Sequence, residues 1–192
     1  MSTRGLIQPF GVDIDLMEGI MTAPDRIAPT RASAMRGYYQ DAAALERLIQ
    51  AADPLHYEVF EKKLPLEPGH LMFCISKLQP GRVGEECFMT RGHYHAMAGA
   101  AELYLCLRGR GYVILRTAEG RSAHEPMSPG RLVYVPPYWA HRSINTGQEP
   151  LMSLCAYPAD AGHNYGEIET EGFPERVFLR NGSEVIEPQP AA

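Results

Sequence analysis

From Leu55 onward the chain breaks into short runs of β-branched, aromatic and aliphatic residues separated by turn signals. The runs are Tyr57 to Lys62, His70 to Leu78, Glu85 to Thr90, Glu102 to Leu107, Tyr112 to Thr117, Arg131 to Val135, Leu151 to Tyr157 and Arg176 to Leu179. Runs this short, with alternating apolar positions, are strands and not helices. Eight of them predict an all-β fold, a jelly roll or small barrel. Arg108-Gly-Arg-Gly111, Glu119-Gly120, Thr146-Gly147 and Asn181-Gly182 are the expected hairpin turns, with glycine supplying the positive φ such turns need. The glycines and prolines punctuate the segments and never gather into a linker, so one domain is expected over residues 1–192, with a barrel core from about 55 to 180.

One stretch departs from this pattern. Asp41-Ala-Ala-Ala-Leu-Glu-Arg-Leu-Ile-Gln-Ala-Ala52 has an acidic start, strong helix formers, Leu45, Leu48 and Ile49 on one face, and Asp53-Pro54 to stop it. It predicts a peripheral helix packed outside the sheet. Residues Met1 to Gly37 predict a peripheral strand around Phe10 to Leu16, and Glu184 to Ala192 a frayed end.

Composition narrows the partners. With 18 Lys+Arg against 23 Asp+Glu, the formal charge is −5, which offers no basic stripe for nucleic acid. No apolar window approaches the roughly 18 residues of a membrane span, and the first residues lack the apolar run of a signal peptide. A cytoplasmic protein without membrane or nucleic-acid partners is expected. Cys74, Cys87, Cys106 and Cys155 contain no Cys-x-x-Cys pair and read as buried small hydrophobes in a reducing compartment.

The chemistry concentrates in Thr90-Arg-Gly-His93-Tyr-His95, followed by Glu102 and later by His141 after Pro136-Pro-Tyr-Trp-Ala. Residues two apart on a strand face the same side, so His93 and His95 are expected to present two imidazoles together. Glu102 opens the next strand, and His141 follows the end of the Arg131 to Val135 run. Imidazole nitrogen plus carboxylate oxygen suits Fe, Mn, Co, Ni or Zn and argues against a calcium cage. Three histidines and one glutamate leave two positions of an octahedral field open for substrate or water.

Written as two halves, the pattern is His93-x-His95-x6-Glu102-x6-Gly109 and Gly130-x5-Pro136-x-Tyr138-x2-His141-x3-Asn145. It resembles the two-part signature of the cupins, which are double-stranded β-helix barrels. Cys87 stands where the opening glycine is usual, Tyr138 replaces a glycine of the second half, and the gap from His95 to Glu102 is long. From Pro9-Phe-Gly to Gly172 the chain resembles the cupin-type phosphoglucose isomerases. The strings that carry this are Gly92-His-Tyr-His-Ala96, Tyr134-Val-Pro-Pro-Tyr-Trp-Ala-His141 and Tyr157-Pro-Ala-Asp-Ala-Gly-His-Asn-Tyr-Gly166.

The resemblance implies an aldose–ketose isomerase of glycolysis or gluconeogenesis that interconverts glucose 6-phosphate and fructose 6-phosphate. It implies metal ligation by His93, His95, Glu102 and His141, with iron as the first candidate and Mn, Zn, Ni or Co as alternatives. It implies a sugar-phosphate pocket from Thr90, Gly92, Tyr104, Tyr157, His163 and Tyr165, with Tyr138 nearby and Ser76 in place of a family threonine. Glu102 is the implied general base, and His163 and Tyr157 are candidates to assist ring opening; a proton transfer through a cis-enediolate and a hydride shift from C2 to C1 both fit. A homodimer is implied as well. Arg91, Lys77 or Arg142 would add charge to phosphate binding if they face inward. Trp139 and Pro136-Pro137 are expected to order the turn that presents His141. His56, His70 and His124 lack a motif and read as surface or structural residues. An Fe(II) dioxygenase and a non-catalytic sugar-phosphate sensor are the competing readings of the same ligand set.

Overall fold

Alternation and punctuation translate into strands, but more of them than the sequence announces. A computed structural model describes residues 7–189. In chain order its elements are β1 (Ile14–Asp15), β2 (Ile20–Met21), β3 (Arg26–Arg31), a 3-10 turn (Ala32–Met35), α1 (Ala42–Ala51), β4 (Leu55–Glu61), β5 (Leu71–Leu78), β6 (Arg82–Val83), β7 (Glu86–Cys87) and β8 (Glu102–Arg108). They continue as β9 (Gly111–Arg116), β10 (Ser122–Met127), β11 (Leu132–Val135), β12 (Ala140–Asn145), β13 (Leu151–Pro158), α2 (Gly166–Glu171), β14 (Glu175–Arg180) and β15 (Ser183–Pro188).

The principal sheet has six strands in the order β11-β8-β13-β5-β4-β3, every pair antiparallel. Facing it are β10-β9-β12 and, beyond β12, the segment that carries β7. Phe88 and Thr90 hydrogen-bond across to Asn145 and Ser143, so this segment runs beside β12 and continues through the His93–His141 bridge. The two layers enclose one apolar core that includes Val113, Ile114, Val133, Val135, Leu151 and Phe173. The result is the expected all-β cupin barrel with a peripheral helix. In α1 the Asp41 carboxylate caps the Ala44 N–H, Leu45 is buried, and Leu48 and Ile49 pack half-buried on the core.

Several expectations are corrected. Glu85 to Thr90 forms regular strand only at β7 and otherwise pairs through single bridges. The sheet begins at β3, well before residue 55. β3 and β10 hold Pro29 and Pro126, and both are edge strands, where a missing N–H costs no ladder bond. Only two of the four expected hairpin turns join paired strands: Glu119-Gly120 between β9 and β10, and Asn181-Gly182 between β14 and β15, the latter with φ of 50° and 80° as a type I′ turn requires. Arg108–Gly111 and Thr146-Gly147 carry the chain from one layer to the other. The strand expected around Phe10 to Leu16 is limited to Ile14–Asp15, paired with Ile20–Met21. Glu184 to Pro188 is ordered strand in β15; the rest of that expected fraying, like the reading of the first six residues, falls mostly outside the described residues.

Candidate active site

Inward-facing rows of the large sheet and the bridging segment of the small one converge at one end of the barrel. Glu102 begins β8 and is buried; His141 is the second residue of β12 and is almost fully buried. The antiparallel bridge between His93 and His141 brings two ligands from distant parts of the chain side by side, with ring centroids 4.6 Å apart. His93 and His95 do not lie on a regular strand, which corrects the expected side-by-side display. Their rings are instead 5.6 Å apart and nearly perpendicular, turned toward a common centre.

That centre is defined by atoms. Nε2 of His95 and Nε2 of His141 lie 3.3 and 3.1 Å from Oε2 of Glu102. Donor atoms of His93, Glu102 and His141 all fall within 4.8 Å of one another. Nε2 of His93, His95 and His141 and Oε2 of Glu102 are all buried without a hydrogen-bond partner. Burying a polar atom unpaired costs about 1–3 kcal/mol, so the atoms of His93, Glu102 and His141, gathered within 4.8 Å of one another with Nε2 of His95 beside Glu102, mark a candidate cation site. The outer nitrogens fix the orientation. Nδ1 of His95 sits 3.3 Å from the Gly162 carbonyl and Nδ1 of His141 3.4 Å from the Trp139 carbonyl. A carbonyl only accepts, so Nδ1 carries the proton and Nε2 turns its lone pair inward.

Electrostatics agree with a ligand set. Burial, followed by the neighbouring His141, pushes the His93 pKa well down and keeps the ring neutral. Burial alone would raise the Glu102 carboxyl, but the electrostatic influence of the neighbouring imidazoles, His141 first, outweighs it and holds the group well below the usual carboxylate range.

The donors open into a cavity of about 500 Å³. Of the residues expected there, Ser76, Thr90, Gly92, Tyr104, Tyr157, His163 and Tyr165 line it with His93, Glu102 and His141. His163 stands at the mouth, its ring 4.4 Å from that of His93 and stacked at 6.0 Å on Tyr165. Thr90 accepts the Ser143 N–H at Oγ1, which leaves its own hydroxyl hydrogen to donate into the cavity. Gly92 has φ of 76°, and a Cβ there would lie 2.6 Å from the Phe173 ring and 2.9 Å from the His141 carbonyl, so no other residue lets this backbone approach His141. Burial raises the phenol pKa values of Tyr104, Tyr157 and Tyr165, which stay protonated as neutral donors.

Some expected positions fall elsewhere. Tyr138 is outside the cavity wall and 67% exposed, so its expected place in the pocket is corrected for this chain. It keeps the backbone of the glycine it replaces, with φ of 71°, and its N–H bonds the Ala98 carbonyl; the long gap after His95 thus pins the turn that presents His141. Lys77 reaches away to the Glu18 carbonyl. Arg142 stacks 4.3 Å over Phe173 and donates to the Arg91 carbonyl, behind the cavity. Of the three candidate cations only Arg91 lines the cavity. Sequence reasoning missed Tyr57, Glu61, Ser143 and Arg26 in the wall. Tyr57 and Glu61 follow from two-residue alternation along β4; Ser143 and Arg26 lie on strands that the sequence did not announce.

A two-layer barrel with three imidazoles and a carboxylate turned inward at one end defines a cupin with a candidate metal centre. Residues 30–189 match the family model of glucose-6-phosphate isomerase (GPI), and the chain belongs to this family. It is similar to the glucose-6-phosphate isomerase of Thermococcus gammatolerans at 48% identity over 93% of both chains. The enzyme of that name from Pyrococcus furiosus is 43% identical over 95% of this chain and 96% of its own. A putative glucose-6-phosphate isomerase 1 of Rhizobium meliloti is 37% identical over 92% of this chain and 83% of its own. Among solved structures, an oxalate oxidase overlays with a TM-score of 0.48 at 16% identity, covering 61% of this chain and 58% of the other. The family rests on the sequence matches and not on that overlay.

Proposed function

We propose that this chain is a metal-dependent glucose-6-phosphate isomerase, reversibly interconverting glucose 6-phosphate and fructose 6-phosphate, with Fe(II) as the metal. The observation that carries the reading is the cluster of unpartnered donor atoms of His93, Glu102 and His141 in the wall of a cavity also lined by neutral hydroxyls, with the unpartnered Nε2 of His95 3.3 Å from Glu102. His93, His95, Glu102 and His141 would hold the ion, and a bound divalent ion supplies an electropositive centre for oxygens that gain negative charge.

The remaining work falls to the chain itself. Ser76, Thr90 and the Gly92 backbone bind the phosphate by hydrogen bonds, with Arg91 adding charge from the wall. Fixing the phosphate fixes the distance of C1 and C2 from Glu102. Oε2 of Glu102 faces His95 and His141, so its second oxygen is the one that takes the proton from C2 and returns it to C1 through a cis-enediolate. His163 and Tyr157 assist ring opening by exchanging a proton with the ring oxygen and the anomeric hydroxyl. Tyr104 and Tyr165 close the sides of the cavity and keep water from the open-chain sugar.

The same reading makes the chain one cupin domain, cytoplasmic, and a homodimer. Support for pairing comes from Leu103, Leu132 and Tyr134, 39%, 57% and 56% exposed, on the outer face of β8 and the edge strand β11. Among the described residues no helix is long and apolar enough to cross a membrane, and the charge of −5 suits a small-molecule substrate over nucleic acid.

The test is conversion of fructose 6-phosphate to glucose 6-phosphate by chelator-stripped protein, before and after anaerobic addition of Fe(II), with Mn(II) and Zn(II) alongside. Turnover restored by metal without oxygen is the expected result. No turnover with any metal overturns the isomerase and moves the same ligands to oxygen chemistry or to sensing.

A further inference from the structure

We infer that Cys74 and Cys155 form a paired-thiol site in the cavity wall that takes a trivalent metalloid of the arsenite class. The two residues are direct antiparallel partners on β5 and β13. Both are buried, both thiols are free, and both line the cavity beside Glu102. Antiparallel partners hold their Cα atoms about 4.5–5.5 Å apart, so two sulfurs on one face converge on a single atom without moving either strand.

The pair is set in a row that crosses the sheet one residue per strand: Arg26, Glu61, Cys74, Cys155, Tyr104. The register thus places the dithiol between Glu61 and Tyr104, in the cavity wall and outside the imidazole cluster. Cys87 and Cys106 are equally buried but lie outside the cavity wall, and the Cys106 thiol donates to backbone carbonyls of Arg108 and Gly109.

The chemistry is selective for an uncharged condensing agent. Both side chains are buried, where an uncharged reagent is favoured over an ionic one. Arsenous acid, neutral at pH 7, needs no thiolate: As(OH)3 plus two R–SH gives (R–S)2As–OH plus two H2O. Two As–O bonds break, two As–S bonds form, each thiol proton leaves with a hydroxide as water, and no electron is transferred. Thiolates and thiols are the soft ligands of the chain, so the metalloid does not compete for the imidazole centre. Once seated it fills the space before Tyr104 and Glu102. The further consequence, exclusion of the sugar phosphate, rests on the isomerase reading; the occupancy itself does not.

The test treats the metal-loaded, full-length protein with arsenite and reads native intact mass and the initial rate with fructose 6-phosphate. One As–OH unit per chain is expected, removed by excess dithiothreitol, absent from Cys74→Ser and Cys155→Ser, and retained by Cys87→Ser and Cys106→Ser. Wild-type protein gives a second readout that needs no variant to fold: arsenite should protect Cys74 and Cys155 from alkylation during denaturing quench, and leave Cys87 and Cys106 unprotected. Loss of nearly all wild-type turnover should accompany the bound unit. No mass gain, a unit that survives in both Cys74→Ser and Cys155→Ser, or protection of other cysteines overturns the site. Full turnover with the unit bound overturns the exclusion of substrate. Absence of turnover in untreated protein is a failure of the isomerase reading alone, and the mass and alkylation readouts still decide the dithiol.

Discussion

Two sets of buried polar groups occupy this barrel, and they differ in where their unused atoms point. On and around β12, Asn145 donates to the Leu78 and Glu149 carbonyls, and Arg142 donates to the Arg91 carbonyl while its guanidinium lies on Phe173. Arg176 pairs with the buried Glu86 at 2.6 Å, and His56 meets the Tyr39 hydroxyl at 2.9 Å. Atoms without a partner in this set are scattered, such as the Nε of Arg142 and Arg176, whose guanidinium groups bond through other nitrogens. In the second set, three imidazoles and Glu102 leave four atoms unpaired, and those of His93, Glu102 and His141 gather within 4.8 Å of one another. The first set spends its polarity on holding strands together. The second reserves it for something the chain does not contain, and that convergence, more than burial or residue type, separates a site from architecture.

Breaking the second set should cost function and spare the fold. Glu102→Ala or His95→Ala is expected to lower turnover by about a thousandfold or more with an unchanged circular dichroism spectrum and melting temperature within a few degrees. Retained turnover would sink the metal-centred mechanism.

Breaking the first set should do the reverse. His56 is fully buried, and burial lowers its pKa from 6.5 to about 4. Unfolded chains bind that proton below pH 6.5 while the folded protein refuses it down to about 4. Stability is therefore complete above pH 6.5 and falls by about 3 kcal/mol in all as pH drops through this window. Urea titrations across that range should show the slope in wild type and a shallower one in His56→Phe.

Asn145→Ala takes the donor from the Leu78 and Glu149 carbonyls, the first of them buried, and should destabilise by about 2 kcal/mol, read as a lower urea midpoint with the metal content unaltered. The smallest effect sharpens the comparison at its border. Ser76 lies on the inward face of β5 and contributes one hydroxyl to the cavity, so Ser76→Ala should raise KM for fructose 6-phosphate by roughly fivefold, worth about 1 kcal/mol, at nearly constant kcat. A fall in kcat at constant KM would move Ser76 from phosphate binding to the reacting end.

Legibility followed the same division. β5, β8 and β13 were readable because alternation of apolar residues marks a face turned to a core. β12, Ala-His-Arg-Ser-Ile-Asn, is buried along its whole length yet largely polar, and its partners are carbonyls and an aromatic ring supplied from elsewhere, so no local pattern announces it. β3 and β10 were hidden by Pro29 and Pro126, which only an edge position accommodates. The candidate donors His93, Glu102 and His141, which the structure brings together, were legible because their side chains are chemically distinctive at any spacing. The cavity wall was legible only in part: Arg26 and Ser143 sit on the unannounced strands, and Tyr138 stands in sequence beside the ligands but faces solvent.

The sequence by itself determined the strands with alternating faces and the amphipathic helix, since each depends on residues within a few positions of one another, and it singled out the candidate donors by their side-chain chemistry. Tertiary structure decided which strands pair and in what register. That placed His93 opposite His141, gathered the donor atoms of His93, Glu102 and His141, and set Cys74 against Cys155. Such pairings join segments far apart in the chain, and their stability comes from burial and hydrogen bonds that exist only once both strands are in place.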